Sequence, residues 1–97
     1  MEIKINKNNY EKEINSKGIV IVDFFATWCG PCQMLSPILE ELSSNYKICK
    51  INVDEERELA MENKIVSIPT VFIYKDGKLV NKFIGYKTKE EIEDLLK

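Results

Sequence analysis

The chain has 97 residues, 44% of them hydrophobic and 31% charged, and 14 basic against 16 acidic side chains leave a formal net charge of −2. That length suits one ordinary domain, expected to span residues 1–97, with a core large enough to need no staples. The dispersed lysines exclude the clustered cations of a nucleic-acid grip, and no stretch approaches the ~20 apolar residues of a membrane span.

Met1-Glu2-Ile3-Lys4-Ile5 alternates apolar and polar residues like a half-buried strand. It lacks the layout of a signal peptide, so a reducing cytoplasm is expected, although a chain relieved of its leader would read the same way. A first helix is expected from Asn8, with Glu11 as a capping-box partner, to Gly18, placing Tyr10 and Ile14 on one face. Ile19 to Ala26 is an almost unbroken apolar run, as in a central strand covered on both faces. From Pro31 to Tyr46 the period becomes helical through Leu35, Ile38, Leu39, Leu42 and Tyr46, with Pro37 removing one helix hydrogen bond.

Ile48 to Val53 reads as a second inner strand, followed by a helix capped by Asp54, running through Glu62 and ending at Asn63. Thr70–Tyr74 and Leu79–Ile84 form strands around the Asp76-Gly77 turn. Thr88 and Glu91 make a capping box for a last helix that turns Ile92, Leu95 and Leu96 inward. The order βαβαβαββα gives an α/β fold: a mixed sheet of about five strands flanked by about four helices, with parallel crossovers and an antiparallel closing hairpin.

Three cysteines are too few and too unevenly spaced for a disulfide framework. Trp28-Cys29-Gly30-Pro31-Cys32 instead sits where the central strand ends and the long helix begins. A thiolate is the attacking species in disulfide exchange, and a helix N-terminus supplies free N–H donors and a positive dipole end to favour it. Pro31 suits the first helical turn. Two intervening residues let Cys32 reach Cys29 and resolve a mixed disulfide. Trp28 can shield the flank and Gly30 leaves it bare. A zinc or iron–sulfur site usually takes four ligands, whereas this chain has no histidine and only one further cysteine, Cys49. A purely structural bridge over so short a loop would constrain little unfolded-chain entropy.

The segment Val22-Asp23-Phe24-Phe25-Ala26-Thr27-Trp28-Cys29-Gly30-Pro31-Cys32 resembles the active-site segment of thioredoxins. Ser36-Pro37-Ile38-Leu39, Lys50-Ile51-Asn52-Val53-Asp54, Ser67-Ile68-Pro69-Thr70 and Gly85 extend the likeness in order along the chain. It implies a thioredoxin fold and a protein-disulfide reductase with Cys29 as nucleophile and Cys32 as resolving thiol. Asp23 lies within an apolar strand, where desolvation raises a carboxyl pKa towards the range useful to a base. The resemblance makes it the proton acceptor for Cys32, brings Lys50 towards it, and implies a cis Pro69. Trp28, Gly30, Pro31, Ile68, Pro69 and Gly85 then form the substrate-binding face, with the backbone of Ile68 pairing with a substrate strand.

No bound cofactor is implied. The expected partners are disulfide-containing proteins and thioredoxin reductase, or another flavin- or ferredoxin-dependent reductase, met by a monomer. Cys49 reads as a small core residue, with a regulatory thiol as the alternative. Asn63 and Lys64 depart from the aromatic residue and glycine of many members, and Gln33 replaces a frequent cation. Gly30-Pro31 disfavours an extracytoplasmic oxidase or isomerase, while a non-catalytic docking subunit would use the same face.

Overall fold

A computed structural model describes residues 1–97. Five strands, β1 (Glu2–Lys4), β2 (Ile19–Phe25), β3 (Lys47–Asn52), β4 (Thr70–Lys75) and β5 (Lys78–Ile84), form one sheet in the order β1-β3-β2-β4-β5. The helices are α1 (Tyr10–Ile14), α2 (Gly30–Leu42), α3 (Arg57–Glu62) and α4 (Lys89–Leu95). The expected chain order and mixed sheet are both present.

Alternation along the strands divides the interior in two. Val20, Val22, Phe24, Cys49, Ile51 and Phe72 meet Tyr10 and Ile14 of α1 and Leu59 of α3 on one side. Ile21, Ile48, Val71 and Phe83 meet Leu35, Leu39 and Leu42 of α2 and Ile92 of α4 on the other. The apolar run of β2 is explained by this double covering. Truncating a fully buried leucine such as Leu39 to alanine costs roughly 2–5 kcal/mol.

Four expectations need correction. β1 and β2 both run parallel to β3, but β4 is antiparallel to β2, so the third strand–helix–strand unit is not a parallel crossover. The first helix is shorter than expected because the Asn6 side chain accepts from the N–H groups of Asn8 and Asn9, holding them in a turn; such local side-chain bonds compete with helix. The Asn52 side chain likewise accepts from Asp54 N–H at 2.9 Å, and α3 begins only at Arg57, after Glu56. α2 stops at Leu42, although Tyr46 still packs on the second core. The α4 capping box is present, with Thr88 and Glu91 exchanging bonds in both directions.

The closing hairpin turns through Asp76 and Gly77, both with positive φ (51° and 84°). The Asp76 carboxylate accepts from Gly18 N–H at 2.8 Å, tying the hairpin to the start of β2. A Cβ at Gly77 would meet Asn15 Oδ1 at 2.9 Å, so both φ and space favour glycine there.

Candidate active site

β2 ends beneath α2, and the first turn of that helix carries the cysteines. Cys29 is the N-cap in extended conformation, Pro31 lies in the first turn, and Cys29 Sγ accepts from Cys32 N–H at 3.2 Å. Cys29 and Cys32 form a disulfide with their Cα atoms 5.2 Å apart. Cys29 is only 5% exposed, against 4% for Cys32. It packs with Cys32 and the nearby Ala26, and Val53 and Ile68 close over them from further along the chain. The Ile68–Pro69 peptide is cis, and the Ile68 carbonyl oxygen sits 3.8 Å from Cys29 Sγ.

The rest of the wall follows from β4 and β5. Gly85 N–H donates to the Pro69 carbonyl at 2.8 Å, with Gly85 at φ 89°, a region costly for other L-residues. Thr70 Oγ1 donates to the Ser67 carbonyl at 2.5 Å and braces the same loop. Trp28 stands 69% exposed at the rim, held by its Nε1–H donating to Asp54 Oδ2 at 2.8 Å. Asp54, expected to cap a helix, instead fixes this indole, a bond that nothing in the local sequence signals. Gly30 has open space around its missing side chain, so packing does not require glycine there.

Asp23 is completely buried in the middle of β2 and is the register partner of Lys50 on β3 and Val71 on β4. Lys50 Nζ lies 2.8 Å from Asp23 Oδ2 and 4.8 Å from the centre of the Phe25 ring. The ammonium and the carboxylate form a close, largely buried ion pair. Burial raises the Asp23 pKa above the usual carboxylate range, Lys50 offsets part of that rise, and Glu2 adds to it. The influence of Glu2 was not foreseen from the sequence. A cleft of about 340 Å³, with Gln33, Ser36, Thr27 and Glu2 in its lining, is shared by Cys32 and Lys50. Asp23 shares no hydrogen bond with Cys32.

Cys49 lies in the core, with burial pushing its thiol up to about 11. No group of three or more His, Cys, Asp or Glu side chains converges to hold a metal, and no helix is long and apolar enough to cross a membrane.

A cysteine pair bridged at a helix N-cap, set against a cis-proline loop on an α/β sheet, defines a thiol–disulfide oxidoreductase. The thioredoxin family model matches residues 1–97. A thioredoxin of Staphylococcus haemolyticus is 42% identical over 98 residues, covering 97% of this chain and 93% of that protein. One from Staphylococcus epidermidis is 41% identical with the same coverage. Among solved structures, a mutant thioredoxin from Halobacterium salinarum NRC-1 superposes with a TM-score of 0.91 at 31% identity, covering 98% of this chain and 87% of that one. Plasmodium falciparum thioredoxin gives 0.86 at 33% identity, covering 97% and 95%. The chain belongs to the thioredoxin family.

Proposed function

We propose that residues 1–97 act as a single, monomeric, cytoplasmic redox domain that carries electrons from a reductase to disulfide-containing proteins and so maintains cell redox balance. The observation that supports this most directly is the Cys29–Cys32 disulfide at the N-cap of α2, beside the Ile68 carbonyl. In the reduced protein the Cys29 thiolate attacks one sulfur of a target disulfide. A mixed disulfide forms, and the other target sulfur leaves as a thiolate that takes up a proton. Cys32 gives its proton to Asp23 and attacks Cys29 Sγ, releasing the second target thiol and forming the Cys29–Cys32 bond. Two electrons have then passed to the target.

Asp23 acts as the base because burial raises its pKa above the usual carboxylate range, the direction a proton acceptor near neutrality requires. It has no hydrogen bond to Cys32, and the cleft lined by both Cys32 and Lys50, the ion-pair partner of Asp23, offers the proton its route. Lys50 tunes the base. Trp28, Gly30, Pro31, Ile68, Pro69 and Gly85 hold the substrate, with the Ile68 backbone pairing with an extended target segment. No bound cofactor enters these steps. Two electrons and two protons from thioredoxin reductase, or from another flavin- or ferredoxin-dependent reductase, restore the dithiol.

Reduction of insulin by dithiothreitol tests the reading. The wild-type chain should accelerate it, Cys29→Ser should abolish the acceleration, and Cys32→Ser should accumulate a mixed disulfide with the target. Full activity in Cys29→Ser would remove Cys29 as nucleophile.

A further inference from the structure

A second groove opens beside the substrate wall on the α3 side of the sheet. It encloses about 480 Å³ between the turn after α3 and the β4–β5 hairpin, and its lining includes Val66, Ile84, Phe72, Thr70, Lys64 and Lys82. Thr70 is paired with Ile84 and Phe72 with Lys82, so these four side chains share one face of the hairpin. The groove starts next to the docking wall: Thr70 follows Pro69 directly, and Gly85, bonded to the Pro69 carbonyl, follows Ile84. Val66 is two residues from Ile68 and is 94% exposed.

Charge gives this groove a sign. Lys64 and Lys82 are the only charged residues in its lining, and no carboxylate contributes to it. Neither lysine is engaged elsewhere, since the five ion pairs of the chain use Lys4, Lys7, Lys47, Lys50 and Lys97. Lys64 also occupies a backbone conformation with φ 57°, a region that favours glycine. A lysine is thus carried at a turn where its backbone is disfavoured, within a chain of net charge −2. The outer edge of β5 pairs with no other strand, leaving backbone donors and acceptors open along the same rim.

We propose that this groove seats an acidic stretch of the target protein flanking its disulfide, with apolar side chains on Val66 and Ile84 and carboxylates against Lys64 and Lys82. This rests on the disulfide-reductase reading and adds a substrate class to it: targets with glutamate or aspartate close to the attacked cysteine. The pairing acts at short range, because the net charge of the whole chain opposes an acidic partner. Such pairs at an exposed rim are screened by salt.

The test uses two peptides, each closed by one internal disulfide and identical except for glutamines or glutamates on both sides of the cysteines. Reduction is followed with the dithiothreitol-regenerated protein and normalised to each peptide's rate with dithiothreitol alone. The glutamate peptide should show a kcat/KM about threefold to tenfold higher at low salt, mostly through KM. That ratio should fall towards one in Lys64→Gln/Lys82→Gln and at ~0.5 M salt. Because the ratio compares two substrates on one protein, a partly unfolded variant does not distort it. Equal rates for both peptides on the wild type would overturn the groove and leave the reductase reading standing. A preference that survives in the double variant would place acidic recognition elsewhere and overturn it as well. If neither peptide is reduced, both readings fall. A concentration-dependent dimer that buries the β5 edge and excludes peptide would assign the groove to a second copy of the chain instead.

Discussion

Asp23 and Lys50 are direct register partners on neighbouring parallel strands, and the lysine Nζ closes to 2.8 Å of a carboxylate that is otherwise sealed from solvent. The strand register fixes this pair, so its electrostatics follow from the fold. Burial is the largest influence on Asp23 and raises its folded pKa above that of the unfolded chain. Below about pH 4 both states are protonated and the group leaves stability unchanged; as pH climbs towards the folded pKa, the native state loses stability.

Asp23→Asn should therefore match the wild type in stability well below pH 4 and exceed it at pH 7. The same variant should slow resolution of the mixed disulfide by about 100-fold or more at neutral pH, since general base assistance is lost. Urea unfolding at several pH values, together with stopped-flow reduction of insulin, checks both. A variant less stable than wild type at pH 7 would contradict the burial account.

Lys50→Met removes the charge that offsets the burial of Asp23. The pH midpoint of disulfide reduction should move upward relative to wild type, with the plateau rate at high pH largely retained. An unchanged midpoint would show that the pair is structural only.

The indole of Trp28 is anchored by one hydrogen bond to Asp54 at 2.8 Å. Asp54→Ala should release it, at a cost of about 0.5–1.5 kcal/mol in local order. Lower tryptophan fluorescence anisotropy and a KM raised a few-fold for insulin are expected, with kcat little changed.

Cys49 is fully buried and its thiol is pushed up to about 11. In the reduced native protein a maleimide should label Cys29 first and spare Cys49 until the chain unfolds. Cys49→Ala should cost about 1–2 kcal/mol from the cavity it leaves. Early labelling of Cys49 would mean that the core opens locally there.

Gly77→Ala meets both an unfavourable φ and the Asn15 side chain, whereas Gly85→Ala meets open space at a comparable φ. Gly85→Ala should cost about 1–2 kcal/mol and Gly77→Ala more, measured by thermal unfolding.

Much of this was legible in the sequence because local patterns carry it. The double-sided apolar run of β2, the helical period of α2 and the Asp-Gly turn each report their own backbone. Failures came where a distant residue decided the outcome. Asp54 carries a cap signal, yet its carboxylate is taken by an indole 26 positions away. Part of the cover over Cys29 comes from Val53 and Ile68, and a sequence window around the cysteines does not contain them. Strand direction escaped for a similar reason, since alternation is the same in parallel and antiparallel strands. Lys50 shares a face with Ile48 and Asn52 by parity alone, but only the sheet register sets it opposite Asp23.

The order of strands also divides the site mechanically. β2, which leads into the cysteines, is hydrogen-bonded on both sides, whereas β5, which leads into Gly85, has a neighbour on one side only. Local opening is cheapest where backbone bonds face solvent. Amide protons of Val22 and Phe24 should accordingly outlast those of Val80 and Lys82 in exchange. The cysteines are set on a strand held from both sides, whereas Gly85 hangs from a strand held from one side only.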